Sequence, residues 1–360
     1  MSSFFSKLDF PLFLSIIFLL SLGLATIYSL SLGSNDTTQI QFFYRQAIFA
    51  VLGLVIFAII IQIGFSFFDN IAPFLFVLIN ILLLVTFILG VESRGSIRWI
   101  DLGFFRFQPT EFAKPILVLF LLHFFERHNI KSIVNVLLGL AACLPTIIFT
   151  FLQPDLGSTI ILVMLVAAVY FLMGIPARFI ALAASVFLVL SPLIWFFLHD
   201  YQRQRLFSFL SPTSDPTGAG YNSIQALIAI GSGRLFGLGF GRGTQSHLNF
   251  LPEKHTDFIF ASLSEELGFL GSVILISSFV FLIYRVVTLA NQTSNSRARI
   301  FGLVVATLVG VQMFVNIGMN LSLMPITGIT LPLISYGGSS LISIMMSLGL
   351  VQSARNSFRY

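Results

Sequence analysis

The sequence predicts an all-α, polytopic membrane protein with ten transmembrane helices and one large extracytoplasmic loop between helices 7 and 8. Two observations predict this fold class. Of the 360 residues, 57% are hydrophobic and only 9% are charged, with a mean hydropathy of +0.98, whereas roughly a quarter of a soluble domain is charged. Apolar runs of about 20 residues, long enough to span a hydrocarbon core, recur along the chain.

These apolar runs define the spans in chain order. The first run is too long and too poorly flanked for a cleaved signal peptide, and further spans follow at once. No soluble domain or convincing internal repeat interrupts the series, so residues 1–360 are expected to form a single transmembrane domain. The predicted spans are 10–32, 44–63, 70–90, 109–126, 132–151, 156–174, 177–198, 257–285, 300–321 and 330–352.

An even number of spans places both termini on one side of the membrane, and the basic residues indicate which side. The loops on the side of the termini carry Lys7, Arg127, Lys131, Arg178, Arg285, Arg297, Arg299, Arg355 and Arg359. The opposite short loops hold mainly Arg45, Arg94, Arg98 and Arg106, accompanied by acidic residues. By the positive-inside rule, the protein is expected in the inner, cytoplasmic membrane with both termini in the cytoplasm.

This topology makes residues 199–256 the large extracytoplasmic loop. Within it, "SPTSDPTGAG" (211–220) is rich in turn residues. The stretch "YNSIQALIAIGSGRLFG" (221–237) has apolar residues at helical spacing and predicts a helix along the membrane surface. The stretch "GLGFGRG" (237–243) superficially resembles a dinucleotide fingerprint, but no strand precedes it and no βαβ unit could form. Its glycines are instead expected to let the loop turn tightly against the bilayer.

Several other kinds of site are not predicted. The single cysteine, Cys143, lies in an apolar run, which argues against a disulfide or a cysteine metal site. The basic residues are dispersed and form no continuous face, so nucleic acid is not an expected partner. His255 has only His247 nearby, which does not predict zinc. Ser264 lacks the histidine and carboxylate that a serine hydrolase needs.

Charged residues at the edges of the spans are functional candidates, because a charge near the bilayer centre is costly unless it is paired or hydrated. The stretch "FRFQPTEFAKP" opens the fourth span with Glu111 and Lys114 on one helical face. The stretch "FLQPDLGST" carries Asp155 between the fifth and sixth spans. An ion pair of Lys114 with Asp155 or Glu111 would hold two spans together, and contact with a substrate phosphate is the alternative.

The start of the eighth span carries three more carboxylates, Asp257, Glu265 and Glu266. Asp257 and Glu265 are a little over two helical turns apart and could face one cavity, whereas Glu266 points about 100° away and would hydrogen-bond a neighbouring helix. Asp257 lies at the extracytoplasmic mouth among polar neighbours. A carboxylate there can be both hydrated and partly desolvated, which suits a general base.

Four stretches, in this order, resemble the SEDS family, the RodA and FtsW group. They are "GSIRWIDLGFFRFQPTEFAKP" (95–115), "QPDLGS" (153–158), "NFLPEKHTDFIFASLSEELGFLG" (249–271) and "GITLPLISYGGSS" (328–340). The likeness covers the whole chain, including the count of spans and the position of the large loop. "FLPEKHTDFIF" and "ITLPLISYGGSS" look more like the elongation-type RodA members than the division-type FtsW members.

The resemblance implies an activity, a substrate and partners. The activity is peptidoglycan glycosyl transfer, in which lipid II units are joined on the outer face of the cytoplasmic membrane and undecaprenyl pyrophosphate leaves, for cell elongation and shape maintenance. The essential aspartate of the family corresponds to Asp257, and its paired lysine and aspartate correspond to Lys114 and Asp155. The implied partners are lipid II, the growing glycan strand, membrane lipid and a class B penicillin-binding protein with transpeptidase activity.

This chemistry fits the residues present. A sugar hydroxyl is a poor nucleophile, and a carboxylate such as Asp257 that takes its proton typically contributes roughly 10²–10⁴-fold. The developing charge on the leaving pyrophosphate needs cations. A divalent ion held partly by acidic residues would be magnesium or manganese rather than zinc, although the sequence identifies no metal ligand. The candidate phosphate-binding cations are Lys114, Arg98, Arg203, Arg205, Arg234, Arg242 and Lys254.

Two other functions stay open from the sequence: a transporter that flips lipid II, and a non-catalytic scaffold of the elongation or division machinery. Intramembrane charges and spans broken by proline or glycine are equally typical of transporters. A transporter should, however, concentrate polar residues near the midplane with access to both faces. Asp257 and the polar loop lie at one face, which favours an enzyme.

Overall fold

The computed structural model describes residues 8–32, 37–93, 96–103, 105–182, 185, 203, 209, 219–248 and 250–355. This part of the chain is mainly helical and contains one three-stranded antiparallel sheet. The helices are α1 (Phe10–Ser31), α2 (Thr37–Ile63), α3 (Phe65–Asn70), α4 (Ala72–Leu89), α5 (Pro109–Arg127), α6 (Ile133–Leu152), α7 (Leu156–Leu172), α8 (Ala219–Ser232), α9 (Thr244–His247), α10 (Ile259–Gln292), α11 (Ser296–Asn320) and α12 (Gly338–Ala354). The strands are β1 (Val91–Ser93), β2 (Ser96–Asp101) and β3 (Arg106–Phe107).

The predicted fold class, a helical polytopic membrane protein, is confirmed. Within the described ranges, six helices are long and apolar enough to cross a membrane, namely α1, α2, α4, α6, α10 and α11. The apolar helices α7 and α12 are shorter, and α5 carries Glu111 and Lys114 in its first turns. The count of ten spans stays a prediction, because most of the seventh span, 177–198, lies outside the described residues. The predicted loop 199–256 is described only in part, and it contains α8 and α9.

Helix α5 lies inside the bundle, and this position allows it to carry charge. It packs against α4, α7, α11 and α12 and is buried along most of its length, including Glu111 and Lys114. The lipid-facing helices instead expose large apolar side chains, such as Phe74 on α4 and Phe171 on α7. The strands β1 to β3 connect α4 to α5 and pack on both helices through β2.

Ion pairs hold the helix ends at one end of the bundle. Asp9 caps the N-terminus of α1 and binds Arg285 of α10 at 2.5 Å and Arg355 at 2.9 Å. Arg297, at the start of α11, binds Asp69 at 2.7 Å and Glu126 at 2.5 Å. Three of the arginines that the sequence assigned to the cytoplasmic side, Arg285, Arg297 and Arg355, therefore meet at one end of the structure.

A break in α10 explains the glycine-rich stretch 237–243. Gly268 has non-helical backbone angles (φ 68°, ψ −163°), which frees backbone groups on both sides of it. The amides of Leu238 and Gly239 donate to the carbonyls of Glu265 and Glu266, each at 3.0 Å. The amide of Phe269 in turn donates to the carbonyl of Arg234 at 2.8 Å. The glycine-rich stretch thus replaces the missing hydrogen bonds of the broken helix.

We expect Gly237→Ala to lower the thermal unfolding midpoint markedly. Gly237 has a φ of +82°, and an added Cβ would lie 2.0 Å from the carbonyl oxygen of Glu266. The strain and the backbone clash together should cost about 2–4 kcal/mol. Gly64→Ala is the matched control, because Gly64 has a φ of +94° but no atom within 4 Å of an added Cβ. Equal midpoint losses for the two variants, measured in detergent, would contradict the role of the glycine-rich stretch.

Candidate active site

One cavity of about 660 Å³ gathers five of the charged residues that the sequence singled out. Asp257, Lys114, Glu111, Asp155 and Arg98 all line it. The N-terminal ends of α5, α7, α10 and α12 meet at this cavity. Helix N-termini carry partial positive charge and bind anions, so the cavity is suited to a negatively charged group.

Asp257 lies in the turns that lead into α10, and its backbone is held from another helix. The segment 252–258 is not helical, and α10 begins at Ile259. The backbone carbonyl of Asp257 accepts hydrogen bonds from Asn316 Nδ2 at 3.1 Å and Asn320 Nδ2 at 2.9 Å. These two asparagines of α11 were missed from the sequence, although "VNIGMN" shows two amides one helical turn apart in an apolar span.

The stretch 328–340 folds directly against the Asp257 segment. The amide of Tyr336 donates to the carbonyl of His255 at 2.8 Å, and Ser335 Oγ donates to the carbonyl of Thr256 at 2.7 Å. Gly328 adopts a φ of +73°, and an added Cβ there would lie 3.8 Å from Asp257 Oδ2. Two stretches that are far apart in sequence thus form one wall of the cavity.

Lys114 and Glu111 form a buried ion pair that lines the same cavity. Lys114 Nζ lies 2.6 Å from Glu111 Oε1, and the two residues are only 2% and 6% exposed. In the described part of the chain, no hydrogen-bond donor reaches Glu111 Oε2. The structure therefore pairs Lys114 with the carboxylate three residues earlier on the same helix rather than with Asp155.

Asp155 pairs with a different cation. It caps the N-terminus of α7, accepting from the amide of Ser158 at 3.1 Å and from its hydroxyl at 2.9 Å. Arg98 lies 3.7 Å from Asp155 and also donates to the carbonyls of Gln153 and Pro154. Arg98 thereby joins strand β2 to the turn between α6 and α7. Its guanidinium stabilises this contact and also lines the cavity.

Lys254 and His255 precede Asp257 in the chain. Both are buried, and neither is among the residues that line the cavity. Lys254 Nζ donates to the carbonyl of Ser246 at 2.7 Å, and burial lowers the pKa of Lys254. Burial, together with the neighbouring Lys254, lowers the pKa of His255 to about 4, although Glu253 opposes this shift. His255 is therefore neutral at pH 7, and its Nε2 lies 2.8 Å from Gln39 Oε1. Lys254 stabilises the loop and does not face the cavity.

The other predicted cations that the structure describes do not line the cavity. Arg234, just before the glycine-rich stretch, and Arg242, within it, are exposed, and Arg203 is not among the lining residues. Arg205 lies outside the described residues. Arg45 and Arg106 do line the cavity. In the sequence they served only to indicate topology. Arg45 lies on α2 and Arg106 on β3, and sequence spacing does not show which helices and strands converge.

Glu265 and Glu266 have structural partners. Glu265 accepts from the amides of Gln245 at 2.8 Å and Ser246 at 3.0 Å, at the N-terminus of α9. Glu266 Oε1 accepts from Ser29 Oγ at 2.6 Å and lies 2.9 Å from His247 Nε2. The expectation that Glu265 could face the cavity of Asp257 is wrong, because it assumed one continuous helix from residue 257.

No group of three or more His, Cys, Asp or Glu side chains within the described ranges is placed to hold a metal ion. Carboxylates of Asp257, Glu253, Asp155 and Glu111 do line the cavity. Mg²⁺ usually takes one or two carboxylates together with substrate phosphates. The carboxylates of the cavity wall would therefore hold Mg²⁺ only together with the oxygens of a phosphorylated ligand.

Comparison with known proteins gives consistent matches over nearly the whole chain. A family model for FtsW, RodA and SpoVE, described as "Cell cycle protein", matches residues 10–360. The peptidoglycan glycosyltransferase MrdB of Escherichia coli K12 is 41% identical over 337 residues, which cover 93% of this chain and 91% of MrdB. The probable peptidoglycan glycosyltransferase FtsW of Nitrosococcus halophilus is 37% identical over 345 residues, covering 92% of this chain and 88% of that protein.

Solved structures show the same architecture. A chain in a peptidoglycan synthase complex, reported for its structural coordination of polymerization and crosslinking, superposes with a TM-score of 0.82 at 31% identity, covering 98% of this chain and 99% of that one. The rod shape determining protein RodA of Thermus thermophilus gives a TM-score of 0.73 at 28% identity, and 98% of each chain is covered.

Proposed function

Because the chain belongs to the FtsW, RodA and SpoVE family of cell cycle proteins, we propose that its cavity joins lipid II units with Asp257 as general base. The protein is a peptidoglycan glycosyltransferase that polymerises glycan strands in cell elongation. It is a multi-pass protein of the inner membrane. The observation that carries the proposed site is that Asp257 and the Lys114–Glu111 pair line one cavity.

The proposed reaction is a single displacement. The Asp257 carboxylate takes the proton from the 4-hydroxyl of the acceptor sugar as this oxygen attacks the anomeric carbon of the donor. The bond from that carbon to the pyrophosphate oxygen breaks, undecaprenyl pyrophosphate leaves, and the anomeric centre is inverted. The pyrophosphate leaves as an anion and needs no proton, so positively charged groups can stabilise the negative charge that develops on it.

Four basic side chains and the helix N-termini supply this positive charge. The cations of the cavity wall are Arg45, Arg98, Arg106 and Lys114. Lys114 and Arg98 already neutralise Glu111 and Asp155, and Arg106 lies 3.9 Å from Asp101 in a more exposed pair, so Arg45 is the strongest candidate for contact with the pyrophosphate and Arg106 the next. A divalent cation would add charge there through carboxylates of the same wall and substrate oxygens, and magnesium or manganese fits those ligands.

The cavity belongs on the extracytoplasmic side in this proposal. Arg285, Arg297 and Arg355 are bound at the end of the bundle opposite the helix starts that surround the cavity. The positive-inside rule assigns that arginine-rich end to the cytoplasm, together with both termini. Lipid II on the outer leaflet could then reach Asp257 without crossing the membrane.

The proposed partner is a class B penicillin-binding protein that crosslinks the strands. Support comes from the similar chain in a synthase complex in which polymerization and crosslinking are coordinated. A transpeptidase bound beside the polymerase would receive strands as they leave the cavity.

An assay with purified components tests the proposed function. The protein is incubated with lipid II and its cognate penicillin-binding protein, whose transpeptidase is blocked by a β-lactam, and the products are separated by size. We expect a ladder of glycan strands with the wild-type protein. Lipid II that reaches the opposite leaflet of sealed vesicles without any ladder would instead indicate a flippase, and neither product would indicate a scaffold.

A further inference from the structure

Two asparagines of α11 hold the peptide group of Asp257 from outside its own segment. Asn316 and Asn320 are both 0% exposed, and each donates to the carbonyl oxygen of Asp257, at 3.1 Å and 2.9 Å. Asp257 precedes the first helical residue of α10, so no helical ladder fixes it. The asparagines supply the restraint that the helix does not.

The remaining hydrogen bonds of these amides extend the restraint to the cavity wall. Asn316 Nδ2 also donates to the carbonyl of Ile329 at 2.8 Å, and Ile329 lines the cavity beside Gly328. Asn320 Oδ1 accepts from the amide of Ala261 at 3.1 Å, which satisfies one of the unpaired amides in the first turn of α10. A carbonyl oxygen only accepts hydrogen bonds, so the Nδ2 atom of each asparagine, and not its Oδ1 atom, must face the carbonyl of Asp257.

We propose that Asn316 and Asn320 are positioning residues that fix the Asp257 carboxylate at the distance proton transfer requires. This inference rests on the proposed role of Asp257 as general base. A base must approach the proton donor within about 2.6–3.2 Å, and a displacement of about 1 Å can cost roughly 100-fold in rate. Both asparagines bind the carbonyl of Asp257, and Asn316 also binds the carbonyl of Ile329. The position of Asp257 therefore depends on α11 and on the cavity wall at Ile329.

A plainer role is that the two amides only join α10 to α11, as polar side chains do in many membrane bundles. The two roles predict different losses. A purely structural bond lowers the unfolding midpoint, and any loss of rate follows the loss of folded protein. A positioning bond lowers kcat for the folded protein while leaving KM for lipid II nearly unchanged.

Asn80 provides a matched control for the structural role. It is an asparagine of α4 whose Oδ1 accepts from Thr146 Oγ1 of α6 at 2.9 Å, so it also joins two helices. It does not belong to the cavity lining. Asn80→Ala therefore removes the same kind of bond without touching Asp257.

The experiment measures kcat, KM and the thermal midpoint for Asn316→Ala, Asn320→Ala, the double variant, Asn80→Ala and Asp257→Ala, all in complex with the penicillin-binding protein. We expect kcat to fall about tenfold in each single asparagine variant and about 100-fold in the double variant. KM should stay within about twofold, because the substrate contacts are kept. Asn80→Ala should keep its kcat at a comparable loss of midpoint.

Three outcomes would overturn the proposal: unchanged kcat in the α11 variants, an equal kcat loss in Asn80→Ala, or loss of folded protein in all α11 variants. If only the double variant fails to fold, the single variants decide. Failure of the proposed base is recognised separately, because Asp257→Ala would then retain activity. Loss of activity in Asp257→Ala with normal kcat in the α11 variants would overturn only the positioning role.

Discussion

Replacing Asp257 by alanine should reduce glycan polymerisation by roughly 10²–10⁴-fold, the usual contribution of a positioned general base. The thermal midpoint should change little, because the two asparagines bind the backbone carbonyl of Asp257 and this group survives the substitution. The loss should appear in kcat, since the proton is transferred in the transition state and not on binding. Strand synthesis from labelled lipid II, followed over time, measures it.

Glu126→Ala is the matched control for this variant. Glu126 is a carboxylate that binds Arg297 at the opposite end of the bundle. Its removal should leave the polymerisation rate within about twofold of the wild type, because exposed ion pairs contribute little. A comparable rate loss in both variants would mean that the effect of Asp257→Ala is not specific to the cavity.

The second large effect is expected at Lys114. Replacing Lys114 by methionine keeps the length of the side chain but leaves Glu111 charged, buried and without its cation. Breaking a buried ion pair in this way typically destabilises by about 3–5 kcal/mol. The thermal midpoint in detergent should therefore fall clearly for Lys114→Met.

A second substitution tests whether the uncompensated charge of Glu111 causes this loss of stability. Changing Glu111 to glutamine in the Lys114→Met background removes the uncompensated charge, and most of the lost midpoint should return. Polymerisation should stay impaired in this double variant, because the ammonium donor of Lys114 on the cavity wall is still absent, although the net charge of the pair is unchanged. Additive losses of midpoint would show that Lys114 and Glu111 are not coupled, contrary to the 2.6 Å contact.

The sequence was informative wherever chemistry is local. Composition alone established the membrane class, and the scarcity of charge drew attention to Asp257, Lys114 and Asp155, all of which line the cavity. The motifs that resemble the SEDS family were sufficient to predict the family, which the comparisons confirm. The role of Asp155 as the N-cap of α7 was missed, although "PDLGS" places an aspartate where a helix N-cap is favoured.

Contacts between distant segments could not be predicted. The partner of Lys114 depended on how α5 faces α7, and spacing left both Glu111 and Asp155 possible. The expectation for Glu265 failed because residues 252–258 form turns before α10 begins. The packing of α2 and β3 that brings Arg45 and Arg106 to the cavity, and the packing of α11 that brings Asn316 to Asp257, exist only in the folded chain.

The pH dependence of kcat/KM tests the role of Asp257 most directly, because this parameter reports the essential acid and base groups of the free enzyme. For the wild-type complex, we predict that polymerisation falls on the acid side as the Asp257 carboxylate is protonated. Asp257→Asn keeps the shape of the side chain but cannot take a proton, so its low residual rate should lack this acid limb. An acid limb with the same midpoint in Asp257→Asn would contradict Asp257 as the general base.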